Sequence, residues 1–362
     1  MALHSLRVQG FKSIRDQLLE LGPINIFVGG NGAGKSNLIG IFHFLSSISR
    51  QELAIYTGQS GGANAILHYG RRRTANLALR IVFRDSHHEN TYALRLVPTA
   101  EDGFLFENET TYYRDMNKYE HPYQGHTWVG HTEAQLAKSP GPIAHYIRDH
   151  LESYRIYHFH DTSPSAPPKQ TCEIEDNRFF RTDASNLAAF LYWLQEKHPG
   201  HLRNIEDTVR QIAPFFKRFT LAPSRLNPSK IRLEWEEVGS DMYFSGNALS
   251  DGTLRFICLT TLLFQPKLPP IVLIDEPELG LHPAAIQVLA GMLQSASAHT
   301  QLLVATQSVT LINQLDPEQV WVVDRVQGES QFRHLKEADM SSWLEEYSLG
   351  ELWEKNVLGG RP

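Results

Sequence analysis

The sequence predicts an α/β fold with a mixed sheet, an antiparallel β addition and an inserted, mainly helical lobe. Three observations lead there. A short apolar run, Ile24 to Val28, ends in glycines and is followed by apolar residues at helical spacing. Two alternating segments flank a polar turn at 85–90 and read as an antiparallel hairpin. About 115 residues at the end of the chain switch to strand–helix alternation, the pattern of a parallel sheet.

Taken in order, Leu6, Val8 and the Phe11 region form an opening strand that leads into Ile24-Asn25-Ile26-Phe27-Val28. Leu38, Ile39, Phe42, Leu45 and Ile48 then line one helical face. Leu77, Leu79, Ile81 and Phe83 alternate, as do Tyr92, Leu94 and Leu96 after the turn. Residues 98–142, rich in Tyr, His, Gly and Pro, show no clear period. A strand at Arg155 to Phe159 stops at His160-Asp161, and Ser163 to Lys169 is a proline-rich loop. Two amphipathic helices follow, one on Leu187, Phe190, Leu191 and Leu194, the other on Leu202, Ile205, Val209 and Ile212. Ile231, Leu233 and Trp235 alternate as one more strand, and no internal repeat or heptad run is visible.

Composition narrows the class. The 362 residues carry 34 Lys and Arg against 40 Asp and Glu, a formal charge of −6, with 41% apolar side chains. That is enough chain for a real core, and the charge is too balanced for a disordered tail protein. The expected divisions are 1–160, a lobe with the glycine-rich run after Val28 and the β addition; 161–245, the helical insertion; and 246–362. The acidic balance argues against nonspecific coating of nucleic acid, while leaving room for a local basic face. Cys172 and Cys258 cannot build a disulfide framework or a four-ligand zinc site, so a reducing cytoplasm is expected. No apolar run reaches the roughly 18 residues of a membrane span, and Met1 to Lys12 lacks a signal-peptide core.

Gly29-Gly30-Asn31-Gly32-Ala33-Gly34-Lys35-Ser36 matches G-x-x-x-x-G-K-[ST] in full, with a strand before it and a helix after. Glycines let backbone amides close around phosphate oxygens, and the helix N-terminus adds donors and a favourable dipole. Lys35 is placed to reach the β and γ phosphates of ATP, and the Ser36 hydroxyl to bind Mg²⁺. The competing reading is a glycine-rich turn without a ligand. A second motif, Ile271-Val272-Leu273-Ile274-Asp275-Glu276-Pro277, reads as a strand buried on both faces with an acidic end. Asp275 is the expected Mg²⁺ residue, acting through water, and Glu276 the base that orients and deprotonates the attacking water. A structural role for that acidic pair is the alternative.

A third stretch, Leu249-Ser250-Asp251-Gly252-Thr253, lies about 25 residues before Asp275 and opens an apolar helix. Ser250 is a natural N-cap and Asp251 suits the positive helix end, so the plain reading is a well-capped helix. The stretch also resembles the LSGGQ signature of ABC-type ATPases. Glu278-Leu279-Gly280-Leu281-His282-Pro283 is similar to the D-loop of that superfamily, and Thr306-Gln307-Ser308 to its switch loop, where histidine is usual. Gly34-Lys35-Ser36-Asn37-Leu38 and the opening Leu6 to Ile14 segment resemble the RecF, SMC and OLD-type ATPases of the AAA_21 group. The resemblance covers the first 45 residues and roughly 245–325 well, and the middle loosely. Tyr347 to Trp353 and Gly359-Gly360-Arg361-Pro362 are similar to the tails of small stand-alone members.

The resemblance implies a P-loop NTPase of the ABC-ATPase head type: a homodimer that sandwiches two MgATP. Gly30, Asn31, Gly32, Ala33, Gly34, Lys35, Ser36, Asn37 and Lys12 would hold the nucleotide from one subunit, and Ser250, Asp251 and Gly252 from the other. Glu276, Lys35, Gln307 and His160 would be catalytic, with Ser36 and Asp275 on the metal. His160 or Asp161 stands where the family carries its Q-loop glutamine; a metal pair of His158 with His160 is the alternative.

Departures from the family pattern carry further expectations. The stretch of about 90 residues between His160 and the signature has no heptads, so an SMC coiled coil is not expected. About 55 residues follow Gln307, too few for the Toprim nuclease of OLD proteins. Gln307 donates a hydrogen bond but carries no charge, which predicts slow turnover and a long-lived ATP-bound dimer. His121, His126 and His131 read as loop residues. Arg71-Arg72-Arg73 reads as a solvated turn or, with Lys12, as a phosphate contact or trans arginine. Arg203, Arg210, Lys217, Arg218, Arg225 and Lys230 form a basic enrichment that could track duplex DNA, beside a core of Phe215, Phe216 and Phe219. Three functions follow in order: a DNA-linked ATPase in repair or anti-phage defence gating a separately encoded effector (a nuclease or toxin), an ATP-locked scaffold holding such an effector inactive, and a transporter ATPase.

Overall fold

The structure is a computed structural model that describes residues 1–360; Arg361 and Pro362, part of the tail resemblance, lie outside the described residues. The chain divides into two compact units: Met1–Tyr154 with the chain from Asp316 onward, and Arg155–Leu315.

In the first unit six antiparallel strands form one sheet, in the order Ile14–Glu20, Ala2–Phe11, Leu77–Arg84, His88–Pro98, Phe104–Asp115, Tyr123–Trp128. Leu6, Val8, Leu79, Ile81, Tyr92 and Leu94 are buried, as their alternation requires. The helix Pro142–Ser153 packs on the His88–Pro98 and Phe104–Asp115 strands, with the Phe83 ring against Tyr146 and His150. Ile24–Val28 pairs in parallel with Val320–Val326, which pairs antiparallel with Glu329–His334. Every residue of Ile24–Val28 is buried, and the helix Lys35–Ser49 begins seven residues after it.

Two strands arise from the region where no period was legible: in Phe104–Asp115 a buried acid interrupts the pattern, and Tyr123–Trp128 buries neither face. Glu109 sits on Phe104–Asp115 with no exposed surface, followed by buried Thr110 and Thr111. Its carboxylate accepts from Tyr92 Oη at 2.8 Å, the Gln135 amide at 2.8 Å and the Leu136 amide at 3.0 Å. His131 Nε2 lies 2.7 Å away, so this histidine is a partner of a buried carboxylate and not a plain loop residue. Burial, then the charge of Glu109, pushes the Tyr92 phenol well above its ordinary range. Glu109→Ala would strand four groups, Tyr92 and Leu136 buried and His131 and Gln135 half-buried, and is expected to cost about 3–5 kcal/mol, read from urea unfolding midpoints. A loss of well under about 1 kcal/mol would contradict the network's structural role.

The second unit is built on three parallel strands, Arg155–Tyr157, Ile271–Asp275 and Gln301–Thr306, with Ile271–Asp275 between the others. The helices Asp251–Leu263 and Pro283–Ala296 pack together. Between the first two strands, Leu187–Lys197 and Pro199–Ile212 are the expected helices. They are joined by a three-stranded antiparallel sheet, Phe216–Phe219, Glu234–Glu237 and Tyr243–Ser245, and a two-stranded one, Cys172–Glu173 with Lys230–Ile231. The single strand expected over Ile231 to Trp235 is therefore two, each with its own partner. These strands are two to four residues long, too short for alternation to reveal them. No helix among the described residues is long and apolar enough to cross a membrane.

Candidate functional site

In the first unit the phosphate loop is held by close backbone contacts. A Cβ on Gly29 would lie 2.3 Å from the Val323 carbonyl oxygen, so the loop entry rests against Val320–Val326. Gly34 adopts φ +125°, and a Cβ there would come 2.0 Å from Ser330 Oγ. Lys35 is 6% exposed, and its ammonium donates back to the Gly29 and Gly30 carbonyls at 2.5 and 3.2 Å. The helix Lys35–Ser49 has no side-chain N-cap. Asn31, Gly32 and Ser36 are exposed along the loop, Asn37 is half-buried, and Ala33 is buried.

A polar lock beneath the loop joins Asn37 and Ala33 to two serines not singled out from sequence, Ser13 and Ser330. Ser13 Oγ and Ser330 Oγ lie 2.6 Å apart, Ser330 Oγ donates to the Ala33 carbonyl at 2.5 Å, and Asn37 Nδ2 donates to Ser13 Oγ at 2.6 Å. Beside it, Lys12, Ser13, Asn37, Asn64, Tyr69 and Arg325 line a cavity of about 400 Å³. Lys12 has φ +47°, its amide donates to Ile66 and its carbonyl accepts from His68, which turns the chain at this wall. Arg325 reaches the Gly32 carbonyl at 3.3 Å. Of the arginine triplet, Arg71 donates to Thr99 and Arg73 covers the Tyr69 ring. Ser13 and Ser330 lie 317 positions apart, so no motif spacing joins them.

In the second unit the end of Ile271–Asp275 gathers four of the expected residues. Glu276 adopts φ +43°, a left-handed conformation that a non-glycine residue holds only under constraint, and its amide donates to the Ala305 carbonyl at 2.8 Å. Gln307 Nε2 donates to Glu276 Oε1 at 2.6 Å. His160 Nε2 lies 3.0 Å from the Asp275 carbonyl; a carbonyl only accepts, so this nitrogen carries the proton. Asp161 instead closes a local turn by accepting from the Ser163 amide.

Glu278 was not singled out as a site residue. Its Oε1 accepts from Thr306 Oγ1 at 2.6 Å and from the Gln307 amide at 2.8 Å, fixing the start of the loop that follows Gln301–Thr306. Oε2 is buried without a hydrogen-bond partner, and burial raises the carboxyl's pKa above its ordinary value.

The helix Asp251–Leu263 starts with Ser250 as N-cap, its Oγ accepting from the Thr253 amide at 3.2 Å. Ser250 and Asp251 are exposed, and a Cβ on Gly252 would meet the Gly280 carbonyl at 2.4 Å. Arg255, buried one turn in, donates to the carbonyls of Phe159 and His160 at 2.8 and 3.1 Å. The helix Asp251–Leu263, the turn at Gly280 and the loop carrying His160 are thus tied together in this unit. Burial lowers the pKa of His158, whose ring meets that of His160 edge-on at 5.9 Å. No group of three or more metal-binding side chains exists among the described residues, which leaves a histidine pair without further ligands.

Four of the six cations of the basic enrichment are paired. Arg210 pairs with Asp207, Lys217 and Arg218 with Glu236, and Lys230 with Glu173. Arg218 and then Lys217 hold the Glu236 carboxyl well below its usual range. Among the described residues, Arg203 and Arg225 have no such partner.

Comparison with known proteins bears on family and fold. The AAA_21 family, described as "AAA domain, putative AbiEii toxin, Type IV TA system", matches residues 24–313. A curated relative, the phosphate import ATP-binding protein PstB of Thermotoga maritima, is 31% identical over 75 residues, 21% of this chain. The match spans 29% of that relative's length. The fold is similar to solved SMC heads. One, bound to the C-winged helix domain of ScpA, has a TM-score of 0.62 at 17% identity and covers 94% of this chain and all of the other. A second, with an extended coiled coil and bound to the C-terminal domain of ScpA derived from Pyrococcus furiosus, has a TM-score of 0.60 at 15% identity, covering 95% and 99%. The head from Thermotoga maritima has a TM-score of 0.51 at 16% identity, covering 93% and all of that chain.

Proposed function

The chain belongs to the AAA_21 family, and from that premise we propose that it binds MgATP and hydrolyses it slowly, by in-line attack of water. The observation that carries this reading is the Glu276 carboxylate, held in a constrained backbone at the end of a buried strand and gripped at 2.6 Å by Gln307. Glu276 acts as the base, and Lys35 stabilises charge developing on the transferred phosphoryl group. Gly30 to Asn37 and Lys12 hold the nucleotide, and Gln307 orients the base. His160, its proton committed to the Asp275 carbonyl, positions the acidic strand end. A hydroxyl at Ser36 and a carboxylate at Asp275 are oxygen donors suited to Mg²⁺, which when bound neutralises phosphate charge.

The same reading makes the ATP-bound form a homodimer. The exposed Ser250 and Asp251, with Gly252, face a nucleotide held by a second copy, and Leu279, 40% exposed, lies on the D-loop of that face. The 1–160, 161–245 and 246–362 divisions are then a nucleotide lobe, an insertion that carries output, and a signature and switch segment. The output acts on a separately encoded nuclease or toxin in DNA repair or anti-phage defence; the family's description links such domains to toxin–antitoxin systems, and Arg203 and Arg225 are the cations of the basic enrichment left for duplex DNA. Only a difference in ATP affinity between open and closed forms can drive such gating.

A second reading, an ATP-locked scaffold that holds its partner inactive, is favoured by one observation: the switch residue is a neutral amide already engaged with the base. Gln307→His separates the two. A protonatable ring at this position is expected to raise phosphate release by about tenfold if the chemical step limits turnover. Measured with and without linear duplex DNA, a rise with either supports the hydrolase. No release from wild type or variant under any condition supports the scaffold.

A further inference from the structure

We infer that the segment Ser348–Gly360 belongs to the nucleotide site, as a strap whose Gly359-Gly360 end positions the phosphate loop. The inference rests on the reading of that loop as a nucleotide site. The Gly30 amide donates to the Gly360 carbonyl at 2.6 Å, while the Gly30 carbonyl accepts from Lys35 Nζ at 3.2 Å. Both polar ends of one peptide residue in the loop are therefore held, one by the strap and one by the phosphate-binding lysine.

The strap is anchored independently of this contact. Ser348 and Glu351 form a capping box at the start of the helix Leu349–Glu354, and Leu349, Leu352, Trp353 and Leu358 are buried. The Arg333 guanidinium donates to the Leu358 carbonyl. Beyond Leu358 only glycine fits. Gly359 and Gly360 have φ +74° and +73°, and a Cβ on Gly360 would stand 2.8 Å from Val322 Cγ1 and 3.1 Å from the Val323 carbonyl oxygen. A Cβ on Gly29 would meet that same carbonyl at 2.3 Å, so the strand Val320–Val326 lies close against both loop entry and strap. A glycine pair at this place gives the acceptor its reach; a side chain would push the carbonyl away from Gly30. Gly360 is thus a positioning residue, acting on the loop through its backbone.

The test uses the full chain with Gly360→Ala, Arg333→Ala and Lys35→Ala, a fluorescent N-methylanthraniloyl-ATP as probe, and phosphate release. Gly360→Ala is expected to weaken binding about fivefold to tenfold and to raise KM in proportion, with kcat within about twofold of wild type. Its unfolding midpoint without nucleotide is expected to fall, because a side chain at φ +73° is strained, so binding is read well below that midpoint, where the variant is fully folded. Arg333→Ala, at an exposed side chain, loosens the strap without touching the glycines and should shift binding the same way by about threefold. It decides the matter if Gly360→Ala does not fold. Wild-type affinity in both strap variants, with binding lost in Lys35→Ala, overturns the strap and leaves the nucleotide reading intact. Absence of binding by wild type removes the nucleotide reading, and the strap with it.

Discussion

Glu276→Gln is expected to cut phosphate release by about 10²–10⁴-fold while ATP stays bound. The substitution keeps shape and hydrogen bonding: an amide oxygen can still accept from Gln307 Nε2, now 2.6 Å from Glu276 Oε1. What it removes is the ability to take a proton from water. The left-handed backbone at φ +43° and the amide bond to Ala305 are main-chain features, so the variant should fold as wild type does. Because hydrolysis is the step blocked, nucleotide-dependent dimer should accumulate, visible as doubled mass in light scattering with MgATP. Turnover by the variant within about tenfold of wild type would assign the base elsewhere.

Lys35→Ala is expected to weaken ATP binding by about 10–100-fold or more, the loss of charge-assisted bonds to phosphate. The ammonium is buried and folded onto the Gly29 and Gly30 carbonyls, so its loss also frees the loop's own backbone. Isothermal titration with ATP reads the first effect. An unchanged affinity would mean that the loop is a glycine-rich turn without a ligand.

The parts of the site that rest on local chemistry were legible in the sequence. The strand Ile24–Val28, the glycines, Lys35 and the helix after it form one continuous motif, and each element lies where periodicity places it. The strand ending at Asp275 and the capped helix at Ser250 were equally readable, since a buried apolar run and an N-cap are short-range signals. What stayed hidden is held by partners distant in sequence. Ser13 and Ser330 read as ordinary polar residues until the fold brings their hydroxyls together. Glu278 looked like part of a D-loop, and its grip on Thr306 and the Gln307 amide appears only when two parallel strands align. The strand Phe104–Asp115 was lost to periodicity because Glu109, a charge at a core position, is stabilised by donors on other segments. The basic enrichment was visible, but not that Glu236, Asp207 and Glu173 would pair with four of its members.

The most direct test of the central claim is phosphate release by the purified full chain with MgATP, run beside Lys35→Ala. Release by wild type, saturating with ATP and lost in Lys35→Ala, is the result expected of a P-loop ATPase whose lysine holds the phosphates. Release that is identical in the two proteins, or absent from wild type while ATP remains bound, would contradict hydrolysis at this site.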